Sequence, residues 1–323
     1  LFTNFRDVVS SLRLQSTFLT KKATVNNTSV ASVTATGQAI NGTHSLEVTK
    51  LAKGAFVASN NKMENYTDSN SQLDGDWTGL DKIYINNVEI QLTGNTVGAF
   101  VADVNAKSAE TGVRVSFDLA TQRFYFQTVG TGKEAKIDLL TGNDSLAQQF
   151  LQQAIGINDV ANIVTGENAT VYYQGVELEF STNNFSINGL NIQLIGEGSV
   201  TITVSQDTDA IFNAIKKFVE EYNKLVDEVN KKLKENRYRD YAPLTDEQKQ
   251  EMTEKEIELW ESRAKSGLIR NDSMLTSIMS QLRMALYSTV EGSALKHLTA
   301  IHIETGSYVD EDGKYISGEH GKL

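Results

Sequence analysis

The sequence predicts an α+β chain of more than one domain, in which helical flanks carry an inserted β-rich body. Three observations predict this. Residues 41–205 repeatedly alternate polar and apolar side chains, the mark of half-buried strands. At Asp207 the period switches abruptly to that of a helix. The 323 residues, 40% hydrophobic and 22% charged, are enough for two or three domains at about 150 residues each.

Taken in order, Phe2, Phe5, Val8, Val9, Leu12, Phe18 and Leu19 recur near a 3.6 period and predict a helix. It fades into an extended Ser/Thr/Ala/Val stretch, Asn26–Ala39. Ser45–Leu51 alternates strictly and predicts a strand, whereas the polar Ser59–Gly75 reads as a long connection. Residues 77–139 form a β-β-α-β-β pattern. It contains Lys82–Asn86, Val88–Leu92, the helical Val97–Ser108, Gly112–Leu119 and Arg123–Thr128, with a tight turn at Asn86-Asn87. Leu146–Ile155 predicts a short helix, and Ala169–Gly198 further short strands, with Gly196-Glu197-Gly198 read as a hairpin. Val200–Val204 closes the β region.

Asp207 is a good N-cap, and Asp209 places negative charge in the first turn. Ile211, Ile215, Phe218, Tyr222, Leu225 and Val229 then recur at spacings of four and three, a heptad seam. Pro243 ends the run. A second helix is expected over Asp246 to about Ala264. A third runs from Ser273 to Tyr287, capped by Asn271-Asp272-Ser273 and adding Leu275, Ile278 and Leu282 to the apolar faces.

Composition removes several functions. There is no cysteine, so disulfides, thiolate metal sites and cysteine nucleophiles are excluded. No apolar run approaches 18 residues, so no membrane-spanning helix is expected. The net charge of −11 argues against nucleic acid as a partner. Val129–Glu134 resembles a phosphate loop only superficially, because Glu134 stands where Ser or Thr is needed. Asp310-Glu311-Asp312-Gly313 and Glu319 match part of a calcium loop, but Tyr308 occupies its first position. No catalytic, cofactor-binding or metal-binding set emerges, and a non-enzyme without cofactors is expected. The seam reads first as packing within the chain's own bundle, and second as contact with another protomer. The stretch Asp246–Glu261 holds seven acidic residues. It reads first as a solvated face, and second as an inter-subunit surface carrying Glu251, Glu254, Glu258 and Trp260.

Four stretches together resemble the flagellar filament cap family, also called hook-associated protein 2. They are Gly42–Ala52 (G-T-H-S-L-E-V-T-K-L-A), Asn168–Leu194, Val200–Leu225 with its D-T-D-A-I block, and Gly267–Leu286. Two departures are His44, where the family favours an aromatic, and His302, where glycine is expected. The resemblance implies a helical leg domain from residues 1–40 and 206–323. It implies a β-rich head domain from 41–75 and 165–205, with a second head domain, 76–164, inserted in it. It also implies a homo-oligomeric ring at the extracellular tip of the flagellum, contacting flagellin and the hook–filament junction protein. Export through the flagellar channel as an unfolded chain would suit the absence of disulfides and the single proline, Pro243. Alternatives are another axial protein, or a surface adhesin that binds glycans through the Asn/Thr-rich head.

Overall fold

A computed structural model describes residues 2–292, 295–304 and 322–323. The calcium-loop-like Asp310–Glu319 lies outside the described residues. The chain divides into a helical unit, 1–19 with 207–323, and a β-rich unit, 20–206. The α+β class is as expected.

Within 20–206 the buried side chains form two separate cores. One lies between a five-stranded antiparallel sheet and a three-stranded one. The larger sheet runs in the order Lys21–Val25, Gly198–Gln206, Gly42–Lys50, Ala169–Tyr173, Val176–Phe180. The smaller runs Asn184–Ile187, Leu190–Leu194, Ala31–Ala35. Leu46, Val171 and Ile202 from the first sheet share this core with Ala31, Leu190 and Ile192 from the second. His44 takes the part of an aromatic here, its ring stacked on Tyr173 at 5.9 Å with Nδ1 2.9 Å from the tyrosine hydroxyl.

Two expectations are corrected in this region. Residues 20–40 do not belong with the helices. Lys21–Val25 pairs with Ile202–Gln206, and Ala31–Ala35 pairs with Leu190–Leu194. Both are five-residue strands whose pairing partners lie far along the chain, so the alternation within Ala31–Ala35 does not by itself say which unit they join. Gly196-Glu197-Gly198 is not a hairpin either. It carries the chain from the small sheet to the large one, so the strands it joins never pair.

The second core is aromatic. Phe100, Phe124, Phe126 and Phe150 are buried with Ile83, Ile85 and Ile90. They come from the Lys82–Ile85/Val88–Gln91 hairpin, the helices Val97–Ala106 and Ser145–Gln153, and a sheet of Phe56–Ala58, Arg123–Thr128 and Val113–Asp118. Buried contributions run from Ala55 to Val160, so Ser59–Gly75 is an anchored segment and not a free connection. Tyr66 holds it: the ring is fully buried, its hydroxyl donates to the Ala154 carbonyl at 2.9 Å and accepts from the Asp74 N–H at 2.9 Å. A tyrosine with both polar roles satisfied can serve as a core residue within a polar sequence. Burial pushes its hydroxyl pKa up to about 12.

Three two-residue hairpins use Asn86-Asn87, Gln174-Gly175 and Asn188-Gly189, every residue at positive φ. That is the type I′ turn, whose twist matches the flanking strands. Alanine should cost about 1 kcal/mol at Gly175, where only the positive φ opposes it. At Gly189 a Cβ would also lie 2.6 Å from the Ala39 backbone nitrogen. Gly189→Ala should therefore lower the melting temperature clearly more than Gly175→Ala, and equal shifts would contradict the close packing.

The helical unit is built on Thr208–Lys234, whose N-cap Asp207 accepts from the Ala210 N–H at 2.9 Å. The N-terminal helix Phe2–Leu12 packs on it, with the Phe5 ring 5.7 Å from Phe218 and 5.9 Å from Tyr222. The long helix stops at Lys234, before Pro243. The single helix expected over Asp246–Ala264 is two, Asp246–Gln250 and Glu254–Lys265. Thr245 with Gln248, and Thr253 with Glu256, each form a capping box. The second box starts a new helix, because its threonine must be extended to cap. Ser273–Tyr287 forms as expected, its first turn capped by Asp272.

With Ser59–Gly75 anchored, limited proteolysis should cut first between Ser288 and His297, where the described side chains are mostly exposed. A first cut inside 59–75 would contradict this.

Candidate functional site

The residues singled out by sequence lie on the helical unit. Tyr222, Leu225 and Val229 are buried, and Phe218, Leu275 and Leu282 pack half-buried against them. Ile211 and Ile215, nearer the start of the long helix, are half-buried. Ile278 is 37% exposed. The seam is therefore a closed core only over its second half.

Two core residues were not in the seam. Val226 is buried because the helix presents a stripe wider than a strict heptad line, a signal visible in the adjacent pair Leu225-Val226. Phe5 completes the core from the other end of the chain. Between the Phe2–Leu12, Thr208–Lys234 and Ser273–Tyr287 helices a groove of about 650 Å³ remains. Phe2, Val9, Phe218, Ile278 and Leu286 line it, so it is an apolar surface.

On the acidic segment, Glu251, Glu254 and Glu258 are exposed, with no ion pair among the described residues. Trp260 is not part of that surface. Its indole is half-buried, 4.7 Å from the Tyr241 ring, and its N–H donates to the Ala242 carbonyl at 2.8 Å. The amphipathic ring satisfies itself on the preceding segment.

Glu261 bridges Lys249 at 2.7 Å and Lys265 at 2.9 Å. The hydrogen bonds from these two ammonium groups hold its pKa down to about 2 from an ordinary 4.5. A depressed carboxylate stabilises the fold above its unfolded pKa and loses that contribution as the pH falls through its folded one. The bridge should thus act fully above pH 4.5 and fade towards pH 2. Glu261→Gln should flatten the acid side of the helical unit's melting profile in that window, most visibly at low salt. An unchanged profile would show the bridge to be inert.

Among the described residues no group of His, Asp or Glu side chains could hold a metal ion. No helix there is long and apolar enough to cross a membrane. What the site offers is surface: an apolar groove, a seam and a row of unpaired carboxylates.

The helical unit is gathered from two chain flanks, with the β-rich unit inserted between them in sequence, and it bears an open, mainly apolar groove. Family models described as flagellar hook-associated protein 2 C-terminus and N-terminus match residues 166–323 and 1–55. The chain belongs to the flagellar hook-associated protein 2 family. It is 31% identical to flagellar hook-associated protein 2 of Halalkalibacterium halodurans, covering 95% of this chain and 64% of that protein. With the Escherichia coli K12 protein the identity is 26%, over 90% of this chain and 60% of that one. The chain thus spans somewhat less than two thirds of the length of these relatives. The D1-D2-D3 domains of the flagellar cap protein FliD from Escherichia coli share the fold, with a TM-score of 0.64 and 22% identity over 94% of this chain and 79% of that one.

Proposed function

We propose that this protein is a subunit of the cap at the distal tip of a bacterial flagellar filament. In this reading copies associate as a ring outside the cell, reached by export through the flagellar channel, and guide each arriving flagellin into place. The hook–filament junction protein is the expected partner at the start of growth. The mechanism is mechanical: contact surfaces and hinged helices, with no bond made or broken.

The observation that carries the reading is family membership joined to the open groove of the helical unit. An apolar surface lined by Phe2, Val9, Phe218, Ile278 and Leu286 is one that a monomer would keep from water, and a neighbouring helix would cover it. The seam residues Ile211, Ile215, Phe218, Tyr222, Leu225, Val229, Leu275, Ile278 and Leu282 then hold each leg together and shape its contact face. Mass photometry and negative-stain microscopy of the full-length protein test this. Closed rings are expected, and a protein that stays monomeric at high concentration would overturn it.

A further inference from the structure

We propose that a cleft beside the Glu254–Lys265 helix receives the Glu254 and Glu258 carboxylates of a second copy of this chain. The inference rests on the cap-subunit reading only in supposing that copies meet through their helical units.

The cleft is a built feature. Residues 236–244 are stitched to the helix beside them. Besides the Trp260 contacts described above, the Ser266 hydroxyl donates to the Asn236 carbonyl at 2.7 Å. Gly267, at φ +70°, comes so close that a Cβ there would lie 2.8 Å from the Arg237 Cα. The enclosed volume is about 400 Å³. Tyr238, Pro243 and Leu268 give it apolar walls.

Its charge is lopsided. Arg237, Arg239, Lys249 and Lys265 line it against a single carboxylate, Glu261. Both Glu261 oxygens are taken by the two lysines. Arg237 and Arg239 make no ion pair among the described residues, and both are exposed. In a chain of net charge −11, two unpaired guanidinium groups at the mouth of a tyrosine-walled cleft are suited to carboxylates, which they can grip bidentately.

The complementary charges lie on the same unit. Glu254 and Glu258 are four apart on one helix, exposed and unpaired among the described residues. Like charges at that spacing destabilise a helix slightly. Docking the glutamate pair on Arg237 and Arg239 relieves that repulsion, and since every copy carries both halves, the contact can repeat from copy to copy. Steering by such pairs is salt-dependent, because exposed charges are screened beyond about 8–10 Å at physiological ionic strength.

A charge swap in the full-length protein tests the proposal. Arg237→Glu/Arg239→Glu and Glu254→Arg/Glu258→Arg are made separately, and self-association is followed by sedimentation equilibrium at low and high salt. Each variant alone should associate at least tenfold more weakly than wild type at low salt. An equimolar mixture of the two should recover hetero-association. Wild-type association at low salt by either variant, or no recovery on mixing, overturns the contact, provided that the melting temperatures match wild type. Should a swap variant melt early, Arg237→Gln/Arg239→Gln replaces it and must still weaken association. Filament growth in cells lacking the protein separates the two ideas. If filaments need the protein while the swap variants assemble normally, the contact fails and the cap reading stands. If filaments grow without it, the cap reading itself fails.

Discussion

Leu225→Asp is expected to unfold the helical unit while residues 20–206 stay folded. Leu225 is fully buried, in contact with a core whose other buried members are Phe5, Tyr222, Val226 and Val229. An unpaired carboxylate placed there has no cation to meet, and changes of this kind cost about 3–5 kcal/mol. So small a core has little stability to spare. Phe218→Asp should act in the same direction with a smaller effect, since Phe218 is only half-buried. The β-rich unit has its own two cores and shares none of these residues. Circular dichroism should show most helical signal lost at a temperature where the β signal persists. Loss of both together would mean that the units do not fold independently.

Phe100→Ala is expected to give the largest loss in the β-rich unit, about 3–5 kcal/mol. Its ring lies 5.6 Å from Phe124, 6.3 Å from Phe126 and 5.7 Å from Phe150, all near edge-on, and none of it is exposed. Truncation would leave a cavity at the meeting point of a helix, a sheet and a second helix, and these edge-to-face contacts would go with it. Hydrogen exchange should quicken across Lys82–Gln91 and Val97–Ala106. Protection in Gly42–Lys50 and Gly198–Gln206, which pair with each other around the other core, should hold. Equal loss in both regions would show the two cores to be one cooperative unit.

The elements that could be read from sequence were those carried by local signals. The Asp207 cap, the long helix behind it, the Ser273–Tyr287 helix and the Asn86-Asn87 turn needed no distant partner to declare themselves. The misreadings have long-range causes. Lys21–Val25 is a strand because residues 202–206 lie beside it, and nothing within five residues could say so. Tyr66 is a core residue because Ala154 and Asp74 satisfy its hydroxyl, while its neighbours in sequence are polar. Thr253 did carry a local signal, a capping box hidden in a run of charge. Of the candidate site, the seam was visible as a period, but its closure by Phe5 was not, since that contact joins residues over 200 positions apart. The cleft around Arg237 and Arg239 left no pattern, because it depends on a loop folding back on a later helix.

Flagellin loss tests the proposed cap role most directly. Cells lacking the gene are compared with cells complemented by wild type or by Leu225→Asp, scoring filaments by microscopy and flagellin in the medium by immunoblot. Bare cells with abundant monomeric flagellin outside, rescued by wild type and not by Leu225→Asp, are the predicted result. Filaments of normal length in cells without the gene, with no excess flagellin in the medium, would contradict the account.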